Sequence, residues 1–385
     1  MGKLKILVLN QYYLPGYKSG GPIRTIENMV NYLSDHFDFF IFTSDRDALD
    51  IKSYEDVRID KWNSVGTAKV YYASPKMRCA KGIRKIFKEN KYDILYLNSF
   101  FNPIFTITPL LLFFFRLISV NKIIVAPRGE FSKGALLLKR WKKKLFIYFS
   151  KISGLYSNVF WQASSDFEKK DIKSVFPNAF VHVASDLPCS KNIQIKISRV
   201  DTEFKVLFLS RISPMKNLDY ALRVFQKVKA DVVFYIYGPV RDAKYWDLCQ
   251  NLFSKLPDNV KVFYCDTVEH DQVQSIMAQH DLFFLPTLGE NFGHVIAESL
   301  SAGTPVLIAD TTPWRNLEAD RLGWDLPLSD PELFAAKIDF CAKCSLDERQ
   351  HWRDHIQEAA KGRLLTPELL DANRQLFLQA FNNKL

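Results

Sequence analysis

Absences narrow the field first. The 385-residue sequence has six cysteines, and apart from the lone CxxC of Cys341 and Cys344 they follow no pattern. One such pair cannot complete a tetrahedral zinc site, and no thioredoxin-like context surrounds it. Unpaired thiols fit the cytoplasm. No uninterrupted apolar run reaches the roughly 18 residues of a membrane span. The most apolar stretch, NPIFTITPLLLFFFRLISVNKIIV, is broken by Pro109 and Arg116. It reads as a buried helix followed by a strand from Lys122 to Val125, with a re-entrant or interfacial segment as the alternative. The opening MGKLKILVLN carries no cleavage-site pattern and is expected to form a first buried strand, not a signal peptide. The loop PGYKSGGP fits neither GxGxxG nor a Walker motif. His351 and His355 stand four apart, but no Glu follows His351 and no third ligand is evident, so a solvated helix face is expected there. There is no internal repeat, no low-complexity tract and no RNA- or DNA-binding motif, so nucleic acid is not an expected partner.

What is present points to a globular protein. The length is large for one core and suggests two domains. Apolar residues make up 48% and charged residues 24%, a globular balance. Charge is uneven. Residues 1–185 hold 29 Lys and Arg against 15 Asp and Glu, a net of +14, while residues 186–385 hold 23 against 27, a net of −4. The two halves are therefore expected to meet different partners.

The second half alternates cleanly between apolar strands and helices. FKVLFLSR, VVFYIYG, VKVFYC, DLFFLPT and PVLIAD read as strands. NLDYALRVFQKVKA reads as a helix with Asn217 as N-cap, and DQVQSIMAQH as another. The first half does the same more loosely, through KLKILVLN, FDFFIFTS, YDILYLN, NKIIVAP and NVFWQAS, with a helix starting at Pro22. Continuous apolar strands between helices imply parallel sheets covered on both faces. The join lies in the polar stretch DLPCSKNIQIKISRVDTEF. Two doubly wound domains facing a cleft are expected, with ligands at the C-terminal ends of strands.

ENFGHVIAESLSAG sets Glu290 and Glu298 eight positions apart. With a helix starting near Gly293, Glu290 falls in a loop before a helix N-terminus, where free N–H groups suit phosphate or polar sugar groups. Glu298 falls about one turn in, among Val295, Ile296, Ala297 and Leu300. A carboxylate there is costly unless it accepts hydrogen bonds, and a ribose diol would supply two. Taken alone, a helix glutamate paired with a nearby arginine explains it equally well.

The string GENFGHVIAESLSAGTPVL resembles the E-x7-E signature of retaining glycosyltransferases of family 4, which have the GT-B fold, and FLSRISPMKN is similar to that family's diphosphate-binding loop. SGGPIRTIENM resembles its N-terminal glycine-rich loop. APRGEFSKGALLLKRWKKKLF and WQASSDFEKKDI are like segments of members that build bacterial surface polysaccharides.

The resemblance implies an N-terminal acceptor-binding Rossmann-like domain over 1–190, onto which a C-terminal helix of about 367–385 can pack. A nucleotide-sugar-binding domain over 204–365 follows. Glu290 would contact the donor sugar and Glu298 the ribose. Asn291, Phe292 and Gly293 would offer backbone amides, with Gly238 beside them. Arg211 and Lys216 would neutralise the leaving diphosphate, so that no metal or other cofactor is needed. Gly20 and Gly21 would serve the acceptor. Where many members carry a histidine, this sequence has Arg128, followed by Gly129 and Glu130. Arg128 would bind phosphate or acceptor oxygens and Glu130 orient an acceptor hydroxyl; an Arg128–Glu130 pair holding a turn is the alternative.

Asp45-Arg46-Asp47 reads as a DxD metal motif, but in the wrong architecture, so no metal is expected there. LLLKRWKKKLFIYFSKI places Lys139, Arg140, Lys142, Lys143 and Lys144 around Trp141 and suits an anionic membrane surface. The expected protein is therefore a cytoplasmic enzyme, peripheral on the inner face of the cell membrane. It would move a sugar from a UDP-, GDP- or dTDP-linked donor to a lipid-linked oligosaccharide. A sugar-nucleotide epimerase on the same fold, or a non-catalytic basic protein that binds membrane or nucleic acid, stays open at this point.

Overall fold

The computed structural model describes residues 2–137, 140–189 and 203–382. The chain divides into two compact units, one of Met1–Ser190 with Thr366–Leu385 and one of Lys191–Leu365.

The first unit runs β1 (Leu4–Leu9), α1 (Gly21–Leu33), β2 (Phe37–Ser44), β3 (Trp62–Val65), β4 (Ala68–Ala73), α2 (Ala80–Glu89) and β5 (Ile94–Leu97). It continues through α3 (Thr108–Phe114), β6 (Lys122–Val125), α4 (Lys133–Leu137), α5 (Arg140–Ile152), β7 (Val159–Ala163), α6 (Asp166–Val175) and β8 (Val181–Val183). A π-helical turn, Pro103–Ile107, leads into α3. The strands form one sheet in the order β3-β4-β2-β1-β5-β6-β7-β8, parallel except for the β3–β4 pair. The central strands serve two cores. Leu7, Leu9, Leu95, Leu97, Ile123 and Val125 face one cluster, covered by α2, α3, α5 and α6. Ile6, Val8, Ile94, Tyr96 and Ile124 face the other, as the two-residue period of a strand requires.

The second unit runs β9 (Phe204–Leu209), α7 (Leu218–Phe225), β10 (Val232–Tyr237), α8 (Ala243–Phe253), β11 (Val260–Tyr264), α9 (His270–Ala278) and β12 (Leu282–Leu285). It ends with α10 (His294–Ser301), β13 (Val306–Ala309), β14 (Gly323–Leu326), α11 (Pro331–Lys343) and α12 (Leu346–Leu364). The sheet order is β11-β10-β9-β12-β13-β14, all parallel. Read from β9, this is the doubly wound order 3-2-1-4-5-6, whose switch point lies between β9 and β12. In the first sheet the corresponding reversal lies between β1 and β5.

α13 (Pro367–Asn382) then returns to the first unit. Leu376, Phe377 and Ala380 are fully buried in the second of its two cores, beside α1. The Phe377 ring meets Phe37, Phe39 and Tyr96 at 5.2, 6.1 and 5.6 Å, and Asn373 Nδ2 donates to the Ser185 carbonyl at 2.8 Å. A Phe377→Ala change removes a fully buried ring from three aromatic partners. It should destabilise the first unit by about 3–5 kcal/mol, read as a lower urea midpoint for that unit's transition.

Candidate functional site

The loops at the second sheet's switch point carry the predicted donor residues. After β9, a 3-10 turn over Pro214–Lys216 brings the chain to Asn217, whose φ of 60° is left-handed. Asn217 does precede α7, but its side chain makes no capping bond. It donates instead to the Pro286 carbonyl at 2.9 Å. Two more bonds stitch the same loops, from Leu288 N to Met215 O (2.9 Å) and from Thr287 Oγ1 to Met215 O (3.1 Å). The junction is closed by an ion pair between Lys216 and Glu290, both close to fully buried.

On its other side the β9 loop is tied to the end of β10. Ser210 N donates to Tyr237 O, Ile212 N to Pro239 O, and Arg241 N to Ile212 O. Gly238 sits beneath this contact with φ +136°, and a Cβ there would run into the Ser210 carbonyl. Only glycine lets the two backbones approach this closely. Arg211 reaches solvent above it. Protein packed around its guanidinium lowers the pKa from the ordinary value; Glu290 opposes that shift and Arg241 adds like-charge repulsion. Three cations, Arg211, Lys216 and Arg241, therefore come from the loops that meet here. Arg241 was not identified from sequence, although it follows β10 by four residues and so obeys the same strand-end rule.

α10 starts at the same place. Gly293 is its N-cap with φ 85°, and a Cβ there would press on Ile296 and Trp314. The Trp314 indole N–H donates to the Phe292 carbonyl at 2.6 Å, and the Phe292 ring lies 5.6 Å from that of Trp314. The carbonyl side of this turn is thereby fixed. Among the described residues no acceptor is found for the Phe292 and Gly293 amides, which makes the turn a ready anion or hydroxyl acceptor site. Glu298 lies within α10 and is 9% exposed, between Ala297 and Ser299.

The first unit corrects two expectations. Arg128 does not offer a free guanidinium. Its Nη1 pairs with Asp186 (2.6 Å), Nη2 donates to Tyr96 Oη (2.5 Å) and Asn98 Oδ1 (2.9 Å), and Nε also reaches Asn98 Oδ1 (3.1 Å). Burial works against the charge, but Asp186, Tyr96 and Glu168 outweigh it and hold the pKa above the ordinary value. Nor does Arg128 pair with Glu130. The Glu130 carboxylate accepts from Ser99 Oγ (2.9 Å), Phe100 N (2.6 Å) and Phe101 N (3.1 Å). Burial raises its pKa, against these bonds. Both residues hold the loops that follow β5 and β6.

Gly20, with φ 70°, is the N-cap of α1, and Gly21 is the first residue of the helix. Open space surrounds the Gly20 Cβ position. The preceding loop is held by Asp47, which accepts from Tyr17 N (2.7 Å) and Lys18 N (2.9 Å). Asp45 pairs with Arg46. The DxD string thus fastens a loop, and among the described residues no group of three or more His, Cys, Asp or Glu could hold a metal. Gln11, after β1, accepts from Asn102 Nδ2 at 2.9 Å across the β1–β5 switch point; this polar pair was missed because lone amides carry no motif.

In α5, Arg140, Trp141, Lys142 and Lys144 are exposed. Lys143 is not: its Nζ donates to the Ala135 carbonyl at 2.7 Å and lies 4.9 Å from the Phe101 ring centre. The expectation that it faces a membrane is therefore wrong, because it falls on the side of the helix turned to the core. Lys139 lies outside the described residues. Among the described residues no helix is long and apolar enough to cross a membrane.

Comparison with known proteins bears on the fold. Residues 190–359, almost all of them in the second unit, match the family described as glycosyl transferases group 1. A protein of the Klebsiella pneumoniae cps region is 25% identical over 238 residues, 58% of this chain and 62% of that one. An uncharacterized glycosyltransferase of Methanocaldococcus jannaschii is 30% identical over 122 residues, 31% of this chain and 30% of that one. The chain thus matches less than two thirds of the length of either relative. Among solved structures, sucrose-phosphate synthase from Thermosynechococcus elongatus superposes with a TM-score of 0.73 at 15% identity, over 98% of this chain and 99% of that one. Anabaena HepE in complex with UDP-glucose superposes with a TM-score of 0.67 at 14% identity, over the same shares. Two Rossmann-like units of the GT-B fold are what this chain and these neighbours have in common.

The Lys216–Glu290 pair should behave as one unit. Lys216→Met or Glu290→Gln alone leaves a buried partner uncompensated and should cost about 3–5 kcal/mol. The double variant should recover part of that loss, so that a double-mutant cycle on thermal stability gives a favourable coupling energy.

Proposed function

We propose that the protein is a retaining glycosyltransferase of family 4. It transfers a sugar from a nucleotide-sugar donor to a lipid-linked glycan in the synthesis of a surface polysaccharide such as O-antigen, capsule or exopolysaccharide. The observation that carries this reading is the convergence of Lys216, Arg211, Glu290 and the α10 N-terminus at one sheet switch point. The group 1 match, the cps-region relative and a fold neighbour solved with UDP-glucose support it.

The proposed chemistry follows from the charges. Breaking the sugar–phosphate bond leaves negative charge on the diphosphate, and cations already fixed at that point stabilise it without reorganising. Arg211 offers a planar fork for bidentate contact, and Lys216 a point charge. Lys216 carries three N–H donors; one satisfies Glu290, and the others remain for phosphate oxygen. Glu290, held by Lys216, accepts hydrogen bonds from the donor sugar's hydroxyls. Asn291, Phe292 and Gly293 present the turn whose amides meet the sugar or phosphate, and Gly238 keeps the loops close enough to form the site. Glu298 receives the ribose hydroxyls. Retention follows from attack on the face that the phosphate leaves, with a leaving phosphate oxygen taking the acceptor's proton. Such a step depends on positioning and charge more than on a strong protein base. Gly20 and Gly21 leave room for the acceptor at the α1 N-terminus. The enzyme would work from the inner face of the cell membrane, with no metal or cofactor required.

Thermal unfolding with UDP, GDP, ADP and dTDP tests the donor site. One nucleotide should stabilise the protein, by about 2.7 kcal/mol when its concentration is about 100 times the Kd. Glu298→Ala should abolish the effect. Stabilisation by none of the four, or equal stabilisation of the variant, would overturn the assignment.

A further inference from the structure

The proposed chemistry leaves unused the outward side of α5. Phe146 and Ile147 pack on the core beneath the sheet, and Ser150 is buried. Trp141, Leu145, Tyr148, Phe149 and Ile152 do the opposite, with exposures of 85, 59, 60, 58 and 66%. At about 100° per residue these five side chains share one arc of roughly 100°. Lys142 borders one edge of that arc, and Arg140, Lys144 and Lys151 lie along the other; all four are exposed. A helix on a water-facing surface shows polar residues where this one shows a tryptophan, two other aromatics and two aliphatic side chains.

A second element adds to this face. In α3 and the turn after it, Leu111, Phe114, Phe115 and Leu117 are exposed at 40, 51, 64 and 49%. α3 joins β5 to β6, and α4 with α5 joins β6 to β7, all parallel neighbours. Successive crossovers of one hand lay their helices side by side on one sheet face, and both elements pack into the same core cluster. Of the 21 exposed large apolar side chains among the described residues, nine come from these two places. The exposure is concentrated, which a scattered background of surface apolar residues would not produce.

We propose that the α3–α5 face docks shallowly into an anionic lipid bilayer. Trp141, Phe149 and Ile152 enter the acyl boundary, and Arg140, Lys142, Lys144 and Lys151 lie against lipid phosphates. Charge selects this occupant. α5 has no acidic residue in RWKKKLFIYFSKI, so a second copy presenting the same face would set cation against cation. A bilayer with anionic headgroups satisfies the cations and the apolar arc together. The 13-residue helix is too short to cross a bilayer and suits an in-plane position. The proposal rests on the lipid-linked acceptor reading for its purpose, since an enzyme held there meets its acceptor in the same plane.

Vesicle sedimentation tests it without donor or acceptor. The wild type should bind vesicles of phosphatidylcholine mixed with phosphatidylglycerol, and bind pure phosphatidylcholine far more weakly. Trp141→Ser with Phe149→Ser should weaken binding by about tenfold or more, and Lys142→Gln with Lys144→Gln and Lys151→Gln should remove the preference for anionic lipid. All five side chains are exposed, so both variants should keep the wild-type Tm and its response to nucleotide. No binding to anionic vesicles, or binding that both variants retain, would overturn the proposal. So would a wild-type dimer in equilibrium sedimentation that the Trp141→Ser/Phe149→Ser variant dissociates. A protein that ignores every nucleotide yet binds these vesicles would sink the donor-site reading and leave this one standing.

Discussion

The ion pair between Lys216 and Glu290 is the contact on which the proposed donor site depends. It joins the loop after β9 to the loop after β12, the two strands between which the chain reverses its direction of winding. Neither side chain would be stable alone in that place, because an uncompensated buried charge costs several kcal/mol. Together they fix the spacing of the loops, set a cation beside the α10 N-terminus and leave the remaining ammonium hydrogens for a ligand. The bonds from Asn217 to Pro286 and from Leu288 to Met215 hold the backbone in the same register. Gly238 serves the other flank by admitting the β9 loop against β10.

The two units apply one architectural rule to different ends. In the second, the strand-end loops carry cations and an unblocked turn, an arrangement suited to a diphosphate. In the first, the equivalent loops carry amides, hydroxyls and a buried network in which Arg128 is fully occupied by Asp186, Tyr96 and Asn98. Positive charge in this unit is displayed elsewhere, along the margins of an apolar helix face. α13 completes the unit by covering Phe37, Phe39 and Tyr96, so the end of the chain contributes to the core in which its beginning lies.

Much of this was legible in the sequence because burial of continuous apolar strands leaves an unmistakable pattern. The apolar strands β1, β2, β5, β6, β7, β9, β10, β11, β12 and β13 were all visible. β3, β4, β8 and β14 were not: they are short or lie toward the sheet edges, and β3–β4 turns back through Gly66 with φ 56°. Glu290 and Gly293 stood out as a charge and a glycine beside an apolar helix, whereas Lys216 and Gly238 were identified from the resemblance to family 4. Side-chain pairing was not legible. Arg128 looked available until Asp186, 58 residues later, proved to hold it. Glu130 gave no sign that it would take backbone amides after β5. Lys143 looked like its neighbours, but helical phase turns it inward while Lys142 and Lys144 stay outside. In α5 the sequence shows a basic, apolar helix suited to a membrane surface, but not which of its side chains stay outside.

The most direct test of the account is the anomeric configuration of the transferred sugar. It can be read by proton NMR in the product of a reaction with a membrane-extracted acceptor in the presence of EDTA. Charge stabilisation by Arg211 and Lys216 with same-face attack predicts the configuration of the donor and a rate that EDTA does not reduce. An inverted product, or a reaction that EDTA stops, would contradict it.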